Sequence, residues 1–225
     1  MGPRALAGPP ADGVGRVPEA ATDGLLGRWL RWVTAGELLG FLVPSLVVPL
    51  VLDSAAPVVL AAAVVAGLGE GTVLGLAQAR VLRGVLPALS GRRWVVGTAL
   101  AAALAWVVGM LPSTLYDTWS TWPVGVAIAL GLPLALVLLT SIGVAQWYEL
   151  RRHVARAGAW VAATALAWGV GLTAFGLVTT PLWQPGQGTA LVLAIGLLGG
   201  LTMAAAMALT TGLALRRLLS EPRDR

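Results

Sequence analysis

Residues 55–82 read AAPVVLAAAVVAGLGEGTVLGLAQARVL. The run is too long and too apolar for a strand. At about 1.5 Å of helical rise per residue it more than spans a hydrocarbon core of about 30 Å, so it reads as a tilted transmembrane helix. Glu70 falls near its middle, and Gly67, Gly71 and Gly75 recur every fourth residue. Such a stripe of small residues lets a second helix approach closely.

The rest of the chain has the same character. Of its 225 residues 57% are hydrophobic and 11% charged, and the mean hydropathy is +0.83; these values exclude an ordinary soluble domain. Five further apolar segments accompany the first, giving six at approximately 30–51, 55–82, 94–112, 123–146, 157–178 and 189–215. The expected fold is therefore all-α, a polytopic membrane protein with six transmembrane helices. Residues 1–27 mix Pro, Gly, Ala and both charge signs without an apolar period and are expected to form a disordered cytoplasmic tail. The transmembrane domain is expected over 28–219 and a short C-terminal tail over 220–225.

The net charge of +5 does not indicate nucleic acid, because the 15 basic residues, all arginine, are sorted by side. Arg28 and Arg31 precede the first segment, Arg80, Arg83, Arg92 and Arg93 lie between the second and third, Arg151, Arg152 and Arg156 between the fourth and fifth, and Arg216 and Arg217 follow the sixth. The other three connections hold only Asp53 and Asp117 among charged residues. The positive-inside rule then places both termini in the cytoplasm. The excess of Arg, Ala, Gly and Val points to a GC-rich bacterial genome, hence to the bacterial inner membrane.

An internal repeat is expected as well. Gly75-Leu-Ala-Gln78, Gly143-Val-Ala-Gln146 and Gly212-Leu-Ala-Leu215 close the second, fourth and sixth segments. Trp94-Val-Val-Gly-Thr98 and Trp160-Val-Ala-Ala-Thr164 open the third and fifth, with Trp32-Val33 as a fainter third copy. The reading is three parallel two-helix repeats about an axis along the membrane normal. Small residues every fourth position, including Gly196, Gly200 and Gly212 in the last segment, are expected to pack helices together. Pro44, Pro49 and Pro133 are expected to kink the helices that contain them.

Residues 143–172, GVAQWYELRRHVARAGAWVAATALAWGVGL, resemble a poorly characterised group of bacterial multi-pass membrane proteins carrying Gly-x-x-Gln-Trp, Leu-Arg-Arg and Ala-Gly-x-Trp-Val. Ala79 stands in place of Trp147 in the degenerate copy at 75–109. The resemblance implies the multi-pass architecture and no particular activity.

Chemistry has few candidates. Cysteine is absent and His153 is the one histidine, which excludes thiolate and His-rich metal sites. There is no Gly-x-Ser-x-Gly, His-Glu-x-x-His or phosphate loop, so no catalytic residue and no cofactor is expected. Glu37 and Glu70 fall inside helices, where an ionised carboxylate costs about 2.5–3.5 kcal/mol and should face the bundle interior, paired or protonated. Reading the helices from the segment bounds puts the two acids at different depths. Gln78 and Gln146 can donate and accept between helices or line a vestibule. Trp29, Trp32, Trp94, Trp147 and Trp160 are expected at one membrane boundary, Trp119, Trp122 and Trp183 at the other, and Trp106 and Trp168 deeper.

Two roles are compatible with these residues. The preferred one is a non-catalytic structural or interaction subunit with the lipid bilayer, another membrane protein or a second copy as partner, since packing stripes are pervasive and buried polar groups few. The alternative is a small proton- or cation-coupled transporter or channel using Glu70 and Glu37. A water-filled cavity touching Glu70 would support the second, and an isolated monomer with no polar cavity the first.

Overall fold

The computed structural model describes residues 24–47, 50–51 and 53–220. Among them there is no strand, and six helices are long and apolar enough to cross a membrane: α1 (Leu25–Val47), α2 (Ala56–Val85), α3 (Gly91–Thr114), α4 (Val124–Leu150), α5 (Ala159–Leu182) and α6 (Thr189–Ser220). A single helical turn, Tyr116–Trp119, follows α3. The chain is thus an all-helical polytopic membrane protein. Of the two expected tails, residues 1–23 and 221–225 lie outside the described residues, as does Pro49; residues 25–27 and Ser220 belong to α1 and α6. Pro44 and Pro133 both lie inside continuous helices.

At the arginine-bearing end most helices outrun their apolar segments. Helix α1 starts at Leu25 rather than near 30, α2 runs to Val85, α3 starts at Gly91, and α4 and α6 reach Leu150 and Ser220. Hydropathy stops at the first arginine, but backbone hydrogen bonding does not, and arginine stems lie along an apolar surface while their heads reach water.

Each helix packs on the next in chain order, except that α3 meets α4 across the intervening turn, and α6 closes against α1. The six helices therefore form a closed ring. Glycine sets the closest approaches. A Cβ on Gly67 would lie 2.5 Å from Ala103 Cα, one on Gly71 2.7 Å from Ala99 Cα and one on Gly75 3.0 Å from Val95 Cα, so the α2 stripe lies directly on the α3 backbone. On the other side of α2, Gly36 of α1 meets Ala77 and Gly40 meets the Glu70 backbone, their Cβ positions 2.5 Å from Ala77 Cβ and 3.0 Å from Glu70 O.

The α6 stripe is less uniform than its spacing suggests. A Cβ on Gly212 would meet Trp29 Cδ1 of α1 at 2.8 Å, whereas at Gly200 and Gly196 the nearest atoms, on Phe41 and Trp183, are at 3.7 and 3.8 Å, ordinary contact. Gly199 makes the close approach instead, 2.5 Å from Thr179 Cγ2 of α5. The cause is helical pitch: a step of four residues overshoots one turn by about 40°, so positions 16 apart point about 160° away from each other.

Burial is uneven along the membrane normal. The main hydrophobic cluster, including Leu25, Trp29, Leu82, Trp94, Leu150, Trp160 and Leu215, occupies the arginine-bearing end. Helix α4 has no buried residue before Ile142, leaving Leu132 and Leu136 more than half exposed on an apolar outer face.

Replacing Gly71 by Ala is expected to lower stability in detergent by about 1–3 kcal/mol, because the α3 backbone has nowhere to move. Gly131→Ala, whose Cβ would meet nothing within 4 Å, leaves the thermal midpoint unchanged. Equal midpoints for the two variants would contradict the packing described.

Candidate functional site

The polar groups of the bundle interior are arranged in tiers one helical turn apart. Three tryptophans form the tier nearest the arginine-bearing end. Trp160 has Trp29 and Trp94 on either side, with ring centroids at 6.0 and 6.2 Å, and all three rings are buried. Trp29, Trp94 and Trp160 stand at the arginine-bearing end, but their indoles are buried within the bundle rather than turned to the membrane surface, and there their N–H groups require acceptors. The tryptophan of α1 in this cluster is Trp29, not Trp32. Trp32 is half-exposed, with the Arg80 guanidinium 4.5 Å above its ring.

Each inward indole finds its acceptor on a neighbouring helix. Trp94 Nε1 donates to Gln78 Oε1 at 3.1 Å, Trp160 Nε1 to Gln146 Oε1 at 2.9 Å and Trp29 Nε1 to Thr211 Oγ1 at 3.0 Å. The Gln146 amide in turn donates to Gln78 Oε1 at 2.7 Å and Thr98 Oγ1 at 3.0 Å. One buried side chain of α4 thereby ties together α2, α3 and α5. Thr164, four residues after Trp160 as Thr98 is after Trp94, has a buried hydroxyl with no partner among the described residues. Where α2 and α4 carry Gln78 and Gln146, α6 carries Leu215, which offers nothing to bond.

One turn further from the arginine-bearing end the ring opens into a cavity of about 240 Å³. All six helices line it: Phe41 from α1, Glu70 and Leu74 from α2, Ala102 and Trp106 from α3, Ile142 from α4, Trp168 from α5 and Met203 from α6. Leu74, Ala102 and Ile142 each stand four residues, one turn, from Gln78, Thr98 and Gln146. The glutamine network thus lies about one turn beneath residues that line this end of the cavity. Trp106 and Trp168, expected deeper in the membrane, are both part of its wall.

Glu70 carries the one carboxylate among the lining residues, and Trp106 Nε1 donates a hydrogen bond to its Oε2. Glu37 lies one turn below Phe41 on α1, is 1% exposed, and neither of its carboxyl oxygens has a partner among the described residues. Gly40 packs directly on Glu70 and Gly36 on Ala77, so Glu37 lies about one turn nearer the arginine-bearing end than Glu70, the offset that the segment bounds imply. The carboxyls are still near enough to repel one another when charged.

A second polar cluster lies at the arginine-bearing surface. Glu149, which the sequence patterns did not single out, accepts from the Ser90 backbone N–H at 2.8 Å and faces Arg93 Nε at 3.3 Å and His153 Nε2 at 3.2 Å. It fastens the end of α4 to the start of α3, whose N-cap is Ser90. Arg151 lies over the Trp147 and Tyr148 rings. These contacts account for the charges structurally, and no group of three or more acidic, His or Cys side chains among the described residues is placed to hold a metal ion.

Compared with protein family models, with curated proteins and with solved structures, the chain matches none. Gln146→Leu removes three hydrogen bonds at once and strands the Trp160 indole; the expected cost is about 1–3 kcal/mol in a detergent unfolding titration. A cost within error of zero would show that the network does not hold these helices together.

Proposed function

We propose that the chain is a bacterial inner-membrane protein, with both termini cytoplasmic, that binds a small solute in the central cavity and carries it across. Glu70, with Glu37 beside it, is the ionisable pair that couples this to a proton or another cation, and the role is non-enzymatic. The observation that carries the reading is the cavity itself. It is lined by all six helices, lies one turn from the hydrogen-bonded glutamines, and has in its wall a carboxyl group that costs about 2.5–3.5 kcal/mol to place at that depth when ionised. A protein that only braced a complex would gain more from filling that space with an apolar side chain.

The proposal includes the internal repeat, three helix pairs of like orientation. Gly75 faces Val95 and Thr98 as Gly143 faces Val161 and Thr164, which supports it. So does the way Trp94, Trp160 and Trp29 each bond the even-numbered helix that precedes their own around the ring. A role as an interaction subunit is favoured by a different feature, the exposed outer face of α4, which suits a membrane-protein partner or a second copy as well as it suits lipid.

Proteoliposomes decide between the two roles. Transport predicts that fluxes of protons and small solutes exceed those of protein-free vesicles and fall by on the order of tenfold or more in Glu70→Gln, which keeps the shape and the acceptor for Trp106. Fluxes that do not differ between wild type, Glu70→Gln and empty vesicles would remove the transport reading.

A further inference from the structure

The size and lining of the cavity narrow the chemistry of its ligand, provided that the cavity is the binding site proposed above. Its volume, about 240 Å³, is below the range of roughly 300–1,000 Å³ usual for drug-sized ligands, so the occupant is small. The wall is apolar and rich in aromatic rings, with Phe41, Trp106 and Trp168 contributed by three different helices. Against this surface stands a single carboxylate, Glu70, oriented by the Trp106 indole. Behind it lies the unpartnered carboxyl of Glu37.

Each class of ligand meets these walls differently. An anion would be buried beside a carboxyl pair with no arginine among the lining residues to offset it. A bare sodium or calcium ion needs about six oxygen ligands in place of its hydration shell, and the lining side chains supply oxygen only from Glu70. A neutral apolar molecule would fit the rings but make no use of the Glu70 carboxyl. An organic ammonium ion satisfies both features: its alkyl or aryl groups replace water against the apolar wall, and its charge is met by Glu70 and by the faces of the tryptophans.

We propose that the cavity takes a small hydrophobic ammonium ion, its charged nitrogen against Glu70 and its apolar body among Phe41, Trp106 and Trp168. The second carboxyl, Glu37, has no other cation within reach among the described residues, and a ligand charge at Glu70 relieves its repulsion. Glu37 does not line the cavity, so its part is electrostatic, not direct contact.

The test is equilibrium binding of benzyltrimethylammonium to the full chain in lipid nanodiscs, beside its uncharged carbon isostere neopentylbenzene, the anion phenylacetate, and sodium chloride as competitor. The cation is expected to bind on the order of tenfold or more tightly than the isostere, phenylacetate not at all, and sodium to compete weakly. Glu70→Gln is expected to abolish the preference for charge. Equal affinity for cation and isostere in the wild-type chain overturns the ammonium assignment without needing any variant. So does a preference that survives in Glu70→Gln, or failure of the cation to bind. The transport reading is judged separately by the fluxes: Glu70-dependent flux with no cation preference refutes this inference alone, and Glu70-independent flux refutes the reading beneath it.

Discussion

The amide of Gln146 is the interaction on which the interior depends. A bilayer core offers no water to a buried amide, so every donor and acceptor must be met by protein. Gln146 meets its requirements on other helices, accepting from Trp160 and donating to Gln78 and Thr98. Each bond on its own adds little, about 0.6–2 kcal/mol in membranes. Together they fix the relative rotation of α2, α3, α4 and α5, because a turned helix would carry a bonded group away and leave an unsatisfied one. The tryptophans then occupy the space beneath, and the cavity is what remains above.

Packing and polarity divide the work along the membrane normal. Near the arginine-bearing end, large buried side chains and the network make the bundle dense. Around the cavity cohesion comes from glycine, since Gly67 and Gly71 bring α2 onto the backbone of α3 and Gly40 brings α1 onto Glu70. Lipid gives helices little hydrophobic reason to associate, so such backbone contact is what keeps the ring closed around the cavity. The carboxyls of Glu37 and Glu70 are held there by that contact, despite the cost of their burial.

Much of this could be read in the sequence. Six apolar runs mark out the helices, because the bilayer imposes a length and a hydropathy that no packing detail can override. Gln78 and Gln146, matched by their flanking Gly-x-Ala, proved to bond each other. What was hidden depended on rotation and register, which hydropathy does not encode. Trp29 and Trp32 differ by three residues, and only helical phase decides which turns inward. Glu149 resembled one more charge at a polar boundary until its partners Ser90 and Arg93 were in view, and Trp106 could be joined to Glu70 only through the closure of α2 on α3.

The central claim is that α6 returns to α1, so that all six helices line the carboxylate-bearing cavity, a contact between the first and last helices that no local sequence signal specifies. The chain contains no cysteine, so introduced pairs report without background. Cysteines placed together at Phe41 and Gly200, where a Cβ on Gly200 would lie 3.7 Å from the Phe41 ring, should be joined within one chain in native membranes by a short bifunctional thiol reagent. A pair at Gly97 and Ala145 on the adjacent helices α3 and α4, where the two Cβ positions are 3.7 Å apart, should be joined as well. Cross-linking of the second pair but not the first would mean that the ring is open and that α1 and α6 do not bound one cavity.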